Sequence, residues 1–524
     1  MIDPRTPVVV GVGQSAERID DPTYRGMSAV ELAAAAARAA LDDCGAGVAE
    51  VATAIDTVAG VRQFEISHQN AKAVLGKSNN YPRSVANRVG ANPARAILEV
   101  IGGQSPQHLA NELAATIAGG GAEVALIFGS DATSTERYFA KASETERVKP
   151  DFTETVEGTL EDRGYGLEGV FSRYTVAHGL IGAPAQYGLL ENARRGRVGL
   201  SPARYAARMG GLFAPFTRVA AKNPFASSPV ERPADELITV TDRNRMITDP
   251  YPRLLVARDQ VNQGAAALLM SVEAARRLGV PEEKWVYLRG HADVREQDLL
   301  DRPDLSSSPA SVLAVSEALS VAGIGLDDIG TFDLYSCFPF PVFNICDGLG
   351  LATDDRRGLT LTGGLPYFGG AGNNYSMHGI AETVVQMRSR PGDFGLVGAN
   401  GGIATKYSVG VYSTTPAEWS PDRSAELKDK IAGRPRAAWV ETADGPATIE
   451  TYTVRYDWPT TTGIIVGRLD RDNSRFLATT TDDELVALLT DADPLGARIV
   501  VRSVGHDNRA GNRAALSSAR LPAA

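Results

Sequence analysis

Residues 100–131 read VIGGQSPQHLANELAATIAGGGAEVALIFGSD. The run divides into three pieces. Gly102 and Gly103 end a short loop. Ser105 and Pro106 open a helix, with serine as cap and proline at the first helical position, where its missing N–H costs nothing. A triple glycine stops that helix, and VALIFGSD is an unbroken apolar run of the length of a buried parallel strand. Loop, helix and buried strand are the unit of an α/β protein, and the same rhythm recurs on both sides.

Upstream, residues 8–12 form a β-branched run before Gly13. Ser28, with Glu31 three residues on, predicts a capping box and a helix to about Cys44, stopped by Gly45. VATAIDTVAGV (51–61) reads as a strand. Downstream, AAALLMSV (265–272) resumes the core, and a short helix to Leu278 ends at Gly279. A second round starts near Trp285: strand WVYLRGHAD, a helix over 311–322, strand IGTFDLYSC, a helix over 377–388, then strands FGLVGANGG and YSVGVYS. This alternation predicts parallel strands with helices on both faces, in two halves of similar order.

Residues 134–250 break the rhythm with Arg, Gly, Pro and aromatics. They are too long for a loop and predict an inserted helical subdomain. A polar stretch, 416–432, reads as a linker. Beyond it, four short alternating strands around the helix DDELVALL predict an OB-like β-barrel over 433–524. The expected domains are therefore 1–284 (with its insertion), 285–415 and 433–524.

The chain has 524 residues, a formal charge of -10 and a pI near 5.3. That charge argues against nucleic-acid and anionic-membrane partners, which need a basic footprint. Its 3 cysteines, Cys44, Cys337 and Cys346, are too few for a disulfide framework and show no metal-ligand spacing, so no metal is expected. The charged start MIDPRTPVVVGVG is unlike a signal peptide, and the end LPAA is not a peroxisomal address. Reduced thiols point to the cytoplasm, and the excess of Arg over Lys to a bacterial genome.

Four stretches resemble the thiolase superfamily, above all the sterol-carrier-protein type: RTPVVVGVGQ; the 100–131 segment; LLVARDQVNQGAAALLM, where Gln263 precedes Gly264; and the ordered set FDLYSCF, GGLPYFGGAGNNYSMHG and GANGGIATKYSVGVYS. Together they span residues 1–413. The resemblance implies the five-layer αβαβα thiolase fold, and an extra C-terminal domain is typical of a thiolase-like subgroup. It also implies a core-strand homodimer, with a monomer as the alternative.

Carried over position by position, the resemblance puts the nucleophilic cysteine at Gly103, the GHP histidine at Gly370 and the proton-shuttling cysteine or His–Asn pair at Ala399 and Asn400. The NEAF-type motif falls on Tyr335-Ser336-Cys337-Phe338. A thiolase needs a thiolate, a base, a second proton carrier and oxyanion donors. None of the three ordinary side chains is present. Tyr335 and Asn400 remain as hydrogen-bond donors, Cys337 as a thiol in a site motif, and His378 as a histidine on the following helix. Ser105 reads as a cap. Tyr375 is a second phenol. The inserted subdomain, which holds coenzyme A in the family, carries Arg194, Arg195, Arg197, Arg204 and Arg208, and a guanidinium fork suits phosphates. Gly369 and Gly370 would let a pantetheine chain run close to the backbone.

These residues imply a thiolase-like protein of lipid metabolism that binds coenzyme A or an acyl-CoA as ligand, with no tightly bound cofactor and weak or absent thiolase activity. One alternative is an acyl-CoA retro-aldolase using Tyr335, with Tyr375. Another is an assembly module that docks a partner through its C-terminal domain.

Overall fold

The computed structural model describes residues 2–141, 148–456, 460–504 and 511–516. The LPAA tail and Gly505, the end of the last expected strand, lie outside them. The first half contributes β1 (Pro7–Glu17), β2 (Thr57–Val61), β3 (Arg95–Glu99), β4 (Val124–Asp131) and β5 (Glu161–Asp162). The inserted segment adds β6 (Met246–Thr248) and β7 (Tyr251–Pro252), and β8 (Asn262–Ser271) returns to the core. The second half gives β9 (Val286–Arg295), β10 (Ile329–Leu334), β11 (Phe394–Gly401) and β12 (Lys406–Ser413). The C-terminal region gives β13 (Gly445–Arg455), β14 (Thr462–Leu469), β15 (Arg475–Thr480), β16 (Arg498–Val504) and β17 (Gly511–Leu516).

The core strands run in the order β10-β11-β12-β9-β1-β8-β4-β2-β3-β5. The seam between the halves is β1 against β9, where Val8 pairs with Tyr287 and Val9 with Val286. Two helices, Ser105–Ala118 and Tyr375–Ser389, fill the space between the halves: Leu109, Leu113 and Ile117 share one core with Met377, Ile380 and Val384 and with strand residues from both sides. Helix Ala29–Asp43 covers the outside of the first half, and helix Pro309–Ala322 packs on β9 and β12 of the second. Helix, sheet, helices, sheet, helix make the five-layer αβαβα arrangement of the thiolase fold. Gly11 and Gly13 permit the close approach of β1 to the Ala29 helix, since a Cβ on either would strike the carbonyl oxygen of Ala40 or Ala36.

The Ser28–Glu31 capping box is present. Residues 51–61 are not one strand: the Ala-rich part ends a helix, Val48–Ala54, and only Thr57–Val61 pairs, because alanine favours helix where no β-branched run opposes it. Ser105 is the first helical residue rather than the cap, and its hydroxyl donates to the Val100 carbonyl at 2.8 Å. The stretch read as a linker carries helix Ser424–Ala432. It is tied down by Arg423 to Glu317 at 2.7 Å and by Trp419 stacked 4.3 Å from His291.

The regular structure of the inserted segment is mainly helical, with Ala183–Arg197 and Pro202–Ala220 its long members. Strands β14-β15-β17-β16-β13 close into a five-stranded barrel through β13–β14. The barrel is stapled to the body. Its β13 continues into β6, with Arg455 opposite Thr248, and β6 into β7. The wholly buried Arg475 donates to the carbonyls of Leu300 (2.7 Å) and Arg302 (2.5 Å) while paired to Glu450. Tyr174 of the insertion accepts from the Leu477 amide at 2.7 Å. At the far edge of the core sheet β5 lies along β3, pairing Glu161 with Ile97 and Asp162 with Leu98. Among the described residues no helix is long and apolar enough to cross a membrane.

Candidate functional site

The loop after β3 delivers Gly103 to the end of the Ser105 helix, facing the end of β10. Tyr335, the first residue beyond β10, is fixed by its own N–H donating to the Gly398 carbonyl at 3.0 Å. Its ring lies across Gly103. A Cβ built on Gly103 would overlap the Tyr335 hydroxyl and the ring carbons behind it. The space a side chain on residue 103 would need is therefore occupied by a phenol. Among the described residues no group hydrogen-bonds the Tyr335 hydroxyl, although the residue is only 7% exposed. Burial, with Cys337 next, holds that phenol well above the usual range, so it is a proton donor and not a phenolate. Tyr375 meets the ring edge-on at 5.4 Å, and its own hydroxyl is engaged with Thr362 Oγ1 at 2.5 Å. Ser376 Oγ donates to the Gly103 carbonyl at 2.5 Å, and the Gly102 N–H donates to Asn373 Oδ1 at 2.9 Å.

Asn400, at the end of β11, donates through Nδ2 to the Tyr187 hydroxyl at 2.7 Å. Tyr187 comes from the inserted Ala183 helix, stacks on Phe338 at 4.6 Å and also receives the Ala404 N–H at 3.0 Å. Ala404 has φ 49, so this hydrogen bond helps hold a left-handed non-glycine residue. Cys337 lies against Tyr187 and Asn400 and is 8% exposed. Burial pushes its thiol up to about 12, which leaves it protonated and without nucleophilic strength.

The structure brings Tyr335, Cys337 and Asn400 together with Gly103, and it does not bring His378 to them. His378 is buried against Phe368, its ring 4.9 Å from that of Phe368. Its Nδ1–H donates to Gln14 Oε1 at 2.7 Å. Burial lowers its pKa to about 3, so it is a packed neutral imidazole. Gly370 is buried with its N–H on the Arg258 carbonyl at 2.8 Å. Gly369 has φ +128, and a Cβ there would overlap the Gln263 side chain. The two glycines serve this tight turn and do not line an open channel.

Two of the arginines expected to bind phosphate, Arg194 and Arg195, are instead committed to partners within the chain. Arg194 and Arg195 are buried: Arg194 forks onto Asp347 at 2.7 and 2.8 Å, and Arg195 onto Asp493 of the barrel at 2.9 Å. Arg197 joins Asp347 at 2.6 Å. The face of the helix that carries them packs against helix Pro339–Leu349 and the barrel, so these guanidinium groups staple elements together. Arg204 and Arg208 are exposed at the start of the Pro202 helix.

One open groove of about 690 Å³ does run beside the site, between the Pro202 helix and residues 353–361. Leu212, Pro215, Phe216 and Val219 form an apolar floor, and the lining also holds three cations, Arg218, Lys222 and Arg356, and three carboxylates, Asp354, Asp355 and Glu382. Gly364 is wedged between Phe216 of this floor and Ser336, the neighbour of Tyr335. Elsewhere, Glu99, His108 and Glu112 have the spacing of metal ligands. The position between the two carboxylates is already taken by Arg163, at 2.7 and 2.6 Å.

Sequence reasoning missed Tyr187, Gln104 and the cations of the groove. Gln104, whose side chain is pressed against Gly102 and Gly401, was legible only as a neighbour of Gly103.

The thiolase-like protein type 1 additional C-terminal domain matches residues 426–506. A monomeric SCP2-thiolase like protein type 1 from Mycobacterium smegmatis is 61% identical, over 99% of this chain and 100% of its own, with a TM-score of 0.84. An Ltp2-ChsH2(DUF35) aldolase is 20% identical over 78% of this chain and 98% of its own, and the dimeric peroxisomal thiolase of Saccharomyces cerevisiae is 14% identical over 79% and 98%, both with a TM-score of 0.55. These last two share the fold. No curated protein matches the chain.

Proposed function

The chain belongs to the SCP2-thiolase-like protein type 1 family, and from that premise we propose that it binds a coenzyme A-type thioester and runs no thiolase chemistry. The observation that carries this reading is the Tyr335 ring lying in the place of a side chain on Gly103. Acyl transfer needs a nucleophile there, a base beside it and a second proton carrier. In their places stand Gly103, Gly370 and Asn400, while Cys337 is a buried neutral thiol and His378 is packed elsewhere. What is left is a set of neutral donors around Tyr335, suited to hold a carbonyl oxygen. The groove beside them supports a ligand with an apolar chain, and its cations Arg218, Lys222 and Arg356, which share the lining with Asp354, Asp355 and Glu382, are the candidates to meet a polar head. A role in lipid metabolism, a bacterial cytoplasmic setting and the domain limits given above belong to the same proposal. So does a monomeric state, because β5 covers the edge of β3. Titration calorimetry with coenzyme A and a series of acyl-CoAs, beside a thiolysis assay with acetoacetyl-CoA, tests it. Binding without turnover is expected, and robust thiolysis would sink it.

A second reading is carbon–carbon cleavage of a hydroxyacyl-CoA by a retro-aldol route, in which Tyr335 holds the carbonyl oxygen as charge develops. Its support is the Tyr335 hydroxyl, on a largely buried side chain, with no hydrogen-bond partner among the described residues. Loss of a measured lyase activity in Tyr335→Phe is the expected result, and unchanged activity excludes this role.

A further inference from the structure

We propose that the outer face of helix Pro202–Ala220 docks an acidic carrier protein, which presents an acyl thioester on a pantetheine arm to the groove beside that helix. The inference rests on the thioester reading above and adds the vehicle that brings the thioester. Arg204, Arg208, Arg218 and Lys222 stand at i, i+4, i+14 and i+18 along the helix and the turn that ends it, which sets all four on one side at about 3.6 residues per turn. All four are exposed. Tyr205, Met209, Leu212, Phe213 and Phe216 take the other side and are buried. The basic stripe runs roughly 27 Å from Arg204 to Lys222 at about 1.5 Å per residue.

Nothing within the chain accounts for these charges. Residues 192–230 contain no Asp or Glu, in a chain of formal charge -10. The earlier arginines of that run are paired, Arg194 and Arg197 with Asp347 and Arg195 with Asp493. Among the described residues none of the four on the stripe forms an ion pair. Arg204 stands in the first turn, where the helix dipole opposes a cation, and Arg208 repels it from one turn on. Carboxylates on neighbouring elements are engaged elsewhere: Glu236 with Arg232, Asp355 with Arg357 at 2.9 Å, and Glu382 with Gln14 and Asn223 at 3.0 and 2.9 Å. Asp354 lines the groove too, and no ion pair joins it to Arg218 or Lys222.

The length of the stripe selects its partner. A free coenzyme carries its phosphates on one nucleoside, so it meets the Arg218 end and leaves Arg204 and Arg208 unanswered. A membrane-surface helix sets large apolar side chains beside its cations. Here the exposed residues among the cations are Ala203, Ala207 and Gly211, and the large ones face inward. Small side chains let a second helix lie close, and the carboxylates of an acidic helix answer all four cations along its length. Arg218 and Lys222 also line the groove, so an arm leaving that helix has the apolar floor of Leu212, Pro215 and Phe216 within reach.

The test titrates the full chain with a purified acidic acyl carrier protein, acylated on its pantetheine arm, and in parallel with a free acyl-CoA. Carrier binding is expected to weaken steeply with salt. It should fall by about tenfold or more in Arg204→Glu with Arg208→Glu, where like charges then meet. Glutamate suits the start of a helix, so this variant should fold. Arg204→Gln with Arg208→Gln is the companion and should lose less. Free acyl-CoA should bind the natural chain and both variants alike. Absent carrier binding, or equal carrier affinity in the natural chain and the Glu variant, overturns the proposal, and overturns it alone where acyl-CoA still binds. Failure of carrier and acyl-CoA together takes the thioester reading with it. Binding to phosphatidylglycerol vesicles that the Glu variant abolishes, without carrier binding, assigns the stripe to a membrane and overturns the proposal as well.

Discussion

The aromatic ring of Tyr335 rests on the bare α-carbon of Gly103, and the two positions share the space of one side chain. Neither is free to change alone. Gly103→Cys should destabilise the chain by about 1–3 kcal/mol through overpacking, read as a lower urea midpoint at unchanged slope. Adding Tyr335→Ala should recover much of that loss, giving a coupling of about 1 kcal/mol or more in the double-mutant cycle. Strict additivity would contradict the shared space. Thiolysis should stay absent even in the double variant, because neither Gly370 nor Asn400 supplies a base.

Tyr335→Phe removes one hydroxyl that no group among the described residues uses. Folding stability should change little. Affinity for an acyl-CoA should fall by about three- to tenfold, the worth of one net hydrogen bond. Calorimetry on both proteins decides it, and equal affinities place the ligand elsewhere.

Arg475 bridges the barrel to the carbonyls of Leu300 and Arg302. Arg475→Met strands those carbonyls, while Glu450 keeps Arg468 at 2.7 Å. A loss of about 3 kcal/mol is expected in chemical unfolding, with exchange protection lost first at 300–303 and along β15. A cost near zero would show that the interface does not rest on this residue.

His178 ties the insertion to the last barrel strand. Its Nε2 accepts the Asn512 N–H at 2.9 Å and its Nδ1–H donates to the Tyr174 carbonyl at 2.8 Å. Burial lowers its pKa from 6.5 to about 4. The unfolded chain thus binds the proton first as pH falls, so the stability His178 supplies is full above 6.5 and drains away between there and 4. The slope from this residue is at most about 1.4 kcal/mol per pH unit. Buried carboxyls raised by desolvation, such as Asp249 and Asp333, both to about 6, act in the opposite sense over the same range. The clean measurement is therefore the difference between the natural chain and His178→Gln. The variant should lose the acid-side decline that belongs to His178, and parallel curves would refute the assignment.

Cys337 and Cys346 are both pushed by burial to about 12, and all three cysteines are buried. Iodoacetamide at neutral pH should leave the native chain unlabelled and modify all three thiols after denaturation. Native labelling of Cys337 would reopen its nucleophilic role.

The fold was legible because it is written in local patterns: the Ser28 capping box, the apolar run of β4, the glycines that end helices. The bare position at Gly103 was legible too, since it sits within one continuous motif. Its occupant was not, because Tyr335 belongs to the other half of the chain and only the meeting of β10 with the Ser105 loop reveals the contact. The arginines misled for the same reason. A helix bearing Arg194 and Arg195 looks like a phosphate-binding face until Asp347 and Asp493 arrive from distant segments. Burial is a tertiary property, and a charged residue carries no local sign of whether its partner is a ligand or another helix.

Strands β6 and β7 emerge from the ribosome long before β13, the strand that completes their hydrogen bonding. Until the C-terminal barrel is synthesised, the insertion waits with an open edge and with Tyr174 and His178 unengaged. A part of the chain made later thus closes the middle. Truncation near residue 430, a natural way to ask what the barrel binds, removes instead the partner the insertion needs, and should yield an aggregating fragment rather than a simpler protein.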